Sequence, residues 1–402
     1  MSLWDVVVVG GGPAGSTLAA LAAGAGLRVV VVERERFPRD KVCGEFLSPE
    51  GVAVLERLGI SASLRDAGVT RMDSCRISSP RGRTVESRLP DLAGAGRAAM
   101  GVSRGLLDTT LLGLARRRGA KVYEQREATA PLTVDGRVTG VRIRPVGSEV
   151  YGESLRAPVV VAADGRRSAL VRCLHPHLGD PTRSGPASWF GIKAHLHGDP
   201  SRLGTRVELH LFDGGYAGIG TVESGLLNLC VMVTVRALRA SGGSPERLLR
   251  EGIVANPAAR EILEGTKRAT PWKSVGPLRF GARRAAGGGV LFVGDAAGTI
   301  DPFSGEGMGN ALRSAEIALP FVLAAVERAG LTSAIARGYR NEWRKAFAGV
   351  TRRVRLLGLV LERPALASTA LAVLSRAGGP VLPALVSATR TGLGRSSLHS
   401  GT

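Results

Sequence analysis

The sequence predicts an α/β fold: a doubly wound parallel sheet assembled from separated segments, an inserted antiparallel sheet domain and a helical C-terminal region. Three observations carry that expectation. Residues 6–35, "VVVVGGGPAGSTLAALAAGAGLRVVVVERE", hold a glycine turn and a small-residue helix between two apolar strands. Residues 183–280 switch to short alternating strands with glycine turns, as in "SWFGIKAHLHG" and "TRVELHLFDGG". The α/β pattern then resumes in "GGGVLFVGDAAGTIDPFSGEGMGNAL".

Taken in order, "DVVVVG" is a strand apolar on both faces, as a buried parallel sheet requires. Pro13 opens the following helix, where its missing N–H costs little, and Ala14 follows it. Gly10 lets the turn close, Gly12 lets a pyrophosphate approach the backbone, and Gly15 lets helix and strand pack tightly. Glu33, at the end of the second strand, is placed to accept from adenosine ribose hydroxyls, with Arg34 beside it. A loop, "RFPRDKVCGEF", leads to a short amphipathic helix, and residues 70–90 form a hairpin around "PRGR". A helix follows Arg104, another hairpin turns at Asp135–Gly136, and "APVVVAADGRRS" returns to the parallel sheet. The boundaries that result are 1–70, 97–182 and 281–330 for a discontinuous dinucleotide domain, 71–96 and 183–280 for a β-rich substrate domain, and 331–402 for a helical cap.

With 402 residues, 44% hydrophobic and 22% charged, the composition is that of a globular chain. The net charge of +20 invites a nucleic-acid partner, but the arginines are scattered, aromatics are only 4%, and no nucleic-acid motif is present. The four cysteines form no CxxC pair, so no metal site is expected. The N-terminus lacks the layout of a signal peptide, and the most apolar stretch, around 356–386, is broken by Glu362, Arg363, Pro364, Arg376 and the Gly378–Pro380 turn. The expectation is a cytoplasmic protein. Residues 331–402 hold eleven Arg or Lys against Glu342 and Glu362, so this region is either a soluble cap or a peripheral contact with an anionic membrane.

Three blocks in this order identify the cofactor: the Gly10–Glu33 unit; "AADGRRS" with Asp164, Gly165 and Ser168; and "GDAAGTIDPFSGEGMGNAL" with Asp295, Pro302, Gly305, Gly307, Met308 and Gly309. With Arg104 in "SRGLLDTTLLGLA", they resemble the FAD enzymes typified by aromatic hydroxylases. The resemblance spans residues 4 to about 325 and implies a discontinuous, GR2-type Rossmann-like FAD-binding domain. It implies cofactor contacts at Arg104, Asp164 and Asp295, although Asp164–Gly165 also fits a plain strand-to-helix turn. The glycines from 305 to 309 begin a helix whose positive end would favour anionic reduced flavin.

The segment "DKVCGEFLSPEG" is similar to that of geranylgeranyl and menaquinone reductases, matching at Lys41, Cys43, Gly44 and Pro49. It departs from them at Val42 and in the central sheet, where "YAGIGTVESG" retains only Tyr216 of an aromatic motif. Cys43 also fits a small buried residue with no chemistry. "ERFPR" is similar to flavin-dependent halogenases, yet no lysine lies between Val42 and Ala120 to handle hypohalous acid. The resemblance therefore implies a monooxygenase that uses NADPH or NADH, or a separate reductase, and O2. It would hydroxylate an apolar or aromatic, polyketide-like small molecule through a flavin C4a-hydroperoxide. The alternative is a reductase of prenyl or quinone double bonds, and a non-catalytic flavin-binding protein is a third class. Candidates for catalysis are Glu45, Tyr216 and Cys43, with His195, His197 and His210 as further polar groups. Alternation puts His195 and His197 on one strand face, expected to be exposed, with His210 on a neighbouring strand.

Overall fold

A computed structural model describes residues 4–89, 96–150, 152–174, 189–278, 280–282, 284–361, 364–377, 387 and 390. The elements that position the site are, in chain order, β1 (Val6–Val9), α1 (Pro13–Gly24), β2 (Val29–Val32), β3 (Phe46–Leu47), α2 (Pro49–Leu58), β4 (Ser74–Ser78), β5 (Thr84–Arg88), β6 (Ala99–Gly101), α3 (Arg104–Arg117), β7 (Lys121–Tyr123) and β8 (Val159–Ala162). They continue with β9 (Trp189–His197), β10 (Arg206–Phe212), β11 (Gly215–Thr221), β12 (Leu227–Thr234), β13 (Lys273–Leu278), β14 (Ala286–Gly287), β15 (Val290–Phe292), α4 (Gly307–Glu327), α5 (Ser333–Leu361) and α6 (Pro364–Ala377).

The first sheet has the order β14-β15-β8-β1-β2-β7, parallel except at its β14 edge. Every residue of β1, β2 and β8 is buried, which is why these strands are continuous valine and alanine runs. Helix α1 is buried on almost its whole circumference, between α3 and α4, so it is built from Ala and Gly rather than from one apolar stripe. At Gly10, φ is +105° and an added Cβ would lie 2.4 Å from the Ala163 carbonyl oxygen. At Gly15 it would lie 1.9 Å from the Gly10 carbonyl oxygen. The turn thus closes only with glycine.

The second large sheet runs β9-β12-β11-β10-β4-β5, with β13 and Lys267–Arg268 on the free side of β9. One of its faces packs on the segments 248–263, giving a core that includes Ile192, Leu229, Val231 and Ile262. The other faces the loop 40–45 and the start of α4. Helix α6 lies against β5, where Ala367 and Leu371 join Val85, Leu211, Tyr216 and Met232. The C-terminal helices therefore close one end of the sheet. The apolar stretch around 356–386 becomes parts of α5 and α6, while its breaks at Glu362–Arg363 and Gly378–Pro380 lie outside the described residues. Among the described residues it is α4 that is long and apolar enough to cross a membrane, and it packs instead against α1 and α2 as a half-buried core helix.

Candidate functional site

The N-terminus of α1 has no side-chain cap, so the N–H groups of Ala14 and Gly15 are left for an anion. Glu33 is 5% exposed, accepting from the Gly11 N–H at 2.7 Å and the Glu35 N–H at 2.9 Å. Arg34 is exposed and pairs with Glu35. Close to Gly12 stands Arg39, whose guanidinium is 3.3 Å from Asp108 and 4.0 Å from Glu33. Arg104 makes two bonds of 2.8 Å to Asp108 and also reaches the Cys43 sulfur. The Asp164 carboxylate accepts from the Ala169 N–H, while its Oδ1 is buried without a partner and burial raises its pKa. Lys41 lies exposed beside Gly165, and Asp295 is 3.9 Å from Arg166.

The third block forms the other wall. Pro302 starts a single turn capped by Asp301, and Gly305 takes φ +68° above the Phe46 ring. Met308 is buried, and Gly309 sits against Ser48, where a Cβ would meet its Oγ at 2.9 Å. At Gly307 and Gly44 a Cβ would meet nothing within 4 Å. A tight cradle at Gly10 and Gly15, open space at Gly307 and Gly44, a buried acid at Glu33 and an unsatisfied Asp164 oxygen fit a bound dinucleotide. Glu33 would take the ribose, Arg39 and α1 the pyrophosphate, and the loop 305–309 the flavin ring.

Beside this groove is a buried charge cluster. The Glu45 carboxylate, fully buried, accepts from Lys193 Nζ at 2.6 Å and the Arg104 N–H at 2.8 Å, and meets His195 Nε2 at 2.7 Å. Lys193 also donates to Asp40 at 2.5 Å. Burial alone would lower the Lys193 pKa, but Glu45 and Asp40 outweigh it and hold it raised. Burial likewise acts to raise Asp40, and Lys193 overrides it, so Asp40 is lowered. Glu45 itself has a left-handed backbone, φ 52°, a conformation kept by these contacts. Asp40 is 26% exposed in its side chain and links the cluster to solvent. Cys43 adjoins the cluster, with the Glu45 N–H 3.4 Å from its sulfur, and burial pushes its thiol pKa up.

Tyr216 is 8% exposed and donates to Asp301 at 3.2 Å. Burial, with the Asp301 charge, raises its pKa well above the ordinary phenol value, so it stands as a neutral donor. It lines a small cavity with Trp189, Met232, Phe280 and Phe303. The register puts Tyr216, Met232, Lys193 and His195 on one face of the sheet, turned toward the loop 40–45.

The three histidines do not form one exposed strand face: His197, at the end of β9, is exposed as expected, but the other two are not. His195 is 8% exposed and His210 fully buried, because both faces of this sheet are covered. His210 is also on the opposite face from His195, with Nδ1 2.8 Å from Ser78 Oγ and Nε2 3.4 Å from Glu208. Burial and the Arg76 charge lower its pKa to about 4. Since an unfolded histidine protonates near pH 6.5, the unfolded chain takes up this proton first on acidification. Stability is fully present above pH 6.5 and is lost toward pH 4, by about 3 kcal/mol. His210→Gln is expected to flatten the fall in Tm between pH 7 and 4.5, and an unchanged profile would remove His210 as its cause.

Arg39, Asp108 and Lys193 were not marked by sequence reasoning. Asp108 carried a signal, standing four residues after Arg104 on one helix face. Lys193 carried only its parity with His195 on β9.

The FAD-binding domain family model matches residues 4–354. A digeranylgeranylglycerophospholipid reductase of Methanopyrus kandleri is 30% identical over 349 residues, covering 86% of this chain and 87% of that protein. A menaquinone reductase of Mycobacterium tuberculosis is 32% identical over 322 residues, covering 78% and 75%. A solved geranylgeranyl bacteriochlorophyll reductase-like structure from Thermoplasma acidophilum shares the fold, with a TM-score of 0.77 and 22% identity over 96% of this chain and 95% of that one.

Proposed function

We propose that this chain, which belongs to the FAD-binding domain family, is a flavin-dependent reductase that saturates carbon–carbon double bonds of prenyl chains or prenylated quinones. The observation that carries this reading is the buried Lys193–Glu45–His195 cluster on the cofactor-facing side of the sheet. Saturation adds a hydride to one carbon and a proton to the other, and an apolar cleft has no free water to give that proton. Relatives named as digeranylgeranylglycerophospholipid and menaquinone reductases support the reading.

Bound FAD supplies a two-electron store that NADPH, NADH or a separate reductase fills. The N–H groups at the start of α4 would hold the electron-rich edge of its ring, and Arg39 with α1 would hold the pyrophosphate. Trp189, Phe280 and Phe303 give the wall beside Tyr216 an apolar face that would keep water from the reacting bond. Lys193 and His195 hold the proton that Glu45 positions, and Asp40 restores it from solvent. A peripheral site on the cytoplasmic face of a membrane accords with such a substrate. The basic C-terminal region has exposed Leu356 one turn after exposed Arg352 and Arg353, and exposed Leu366 and Val373 on the next helix, a pattern suited to anionic phospholipid.

The enclosed aromatic cavity, with the Tyr216 hydroxyl fixed by Asp301, supports a second reading, insertion of one oxygen from O2 into an apolar or aromatic substrate. The product distinguishes them. With NADPH, isotopically labelled O2 and geranylgeranyl diphosphate or a menaquinone, the expected product gains two hydrogens per bond and no label. A product carrying labelled oxygen would overturn the reductase reading.

A further inference from the structure

Arg390, far from the cofactor loop in sequence, lies against it. Arg390 is 3% exposed, with Nη1 3.2 Å from Glu50 and 4.0 Å from Glu306, and its guanidinium lies 5.8 Å from the Phe46 ring centre. Glu50 and Glu306 are both fully buried. Glu50 is in the first turn of α2, and Glu306 is the residue that caps α4, between Gly305 and Gly307. The two helix starts touch: a Cβ on Gly51 would come within 3.2 Å of the Gly309 Cα. Phe46 supports Gly305 from below. The tail arginine therefore sits under the loop that fits the flavin ring, beside a carboxylate that loop itself carries.

A buried carboxylate there opposes what the start of α4 does. The helix N-terminus favours negative charge on the ring above it, and an uncompensated Glu306 would disfavour that charge. Arg313, 8% exposed on α4, supplies one compensating cation, and Arg390 supplies a second from a segment far away in sequence. We propose that Arg390 is a positioning residue of the cofactor site: it neutralises the Glu50–Glu306 pair, holds the loop 305–309 in place and favours the reduced, anionic form of FAD. This makes Arg390 part of the redox site, whichever substrate receives the electrons.

The test compares full-length Arg390→Gln, Arg390→Lys and Glu306→Gln/Arg390→Gln by FAD titration of the apoprotein and by flavin reduction potential. Arg390→Gln is expected to bind FAD about tenfold more weakly and to shift the potential to a more negative value. Arg390→Lys should restore part of both, and the double variant should restore most of the potential by removing the carboxylate that the cofactor loop carries, while Glu50 stays in place. If Arg390→Gln does not fold, Glu306→Gln alone keeps the proposal testable, since it should shift the potential to a more positive value. A wild-type potential in Arg390→Gln, or in Glu306→Gln, would overturn the proposal.

Discussion

Gly307→Val is expected to give a folded but colourless protein. A Cβ at this position meets nothing within 4 Å, so the side chain enters open space and the chain should lose little stability, within about 1 kcal/mol. That open space lies at the start of α4, between Gly305 and Gly309, where the flavin ring would lie. The valine methyls would occupy it. Retained flavin per purified chain should fall by a hundredfold or so, equivalent to about 3 kcal/mol of lost binding, while Tm of the apoprotein stays near wild type. Gly15→Val gives the contrast. Its Cβ would fall 1.9 Å from the Gly10 carbonyl, so fold and cofactor should fail together. Full flavin occupancy in Gly307→Val would show that the ring lies elsewhere.

Lys193→Met should be the most destabilising single change in the buried charge cluster. It leaves Glu45 fully buried with its Oε1 facing only the Arg104 N–H, and leaves Asp40 without its closest cation. Breaking a buried ion pair costs about 3–5 kcal/mol, or about 5 °C in Tm for a chain of this size. Lys193→Met combined with Glu45→Gln should cost less than the two changes summed, because the second removes the charge that the first strands. Glu45→Gln alone keeps the carbonyl acceptor but not the charge. It is expected to slow product formation about a hundredfold with flavin content intact. Additive losses would show that the two charges are not coupled, and an unchanged rate would reduce the cluster to a structural tie between loop and sheet.

The cofactor groove was legible because its signals are local. Three glycines, a buried acid and the strands on either side fall within one βαβ unit, and the glycine-rich start of α4 lies within one loop. Local periodicity could not show how segments meet. Alternation on β9 grouped His195 with His197, and Lys193 shares that parity, yet it gave no sign that both faces of this sheet are covered or that residue 45 would lie against them. His195 and His210 were therefore expected at the surface and are buried, while His197, at the end of its strand, is exposed as expected. The amphipathic C-terminal pattern announced helices but not their seat against β5, and nothing near Arg390 in sequence points to Glu50. Long-range charge pairing is the part of the site that a single sequence conceals.

The central claim is that electrons on the flavin pass to a carbon–carbon double bond. The most direct measurement reduces the FAD-loaded protein without oxygen, then mixes it anaerobically with a prenylated lipid or menaquinone while flavin absorbance is followed. Return of the oxidised spectrum in step with formation of the saturated product is the expected result. A flavin that stays reduced with every prenyl and quinone acceptor, and reoxidises only when O2 is admitted together with an aromatic substrate that becomes hydroxylated, would contradict it.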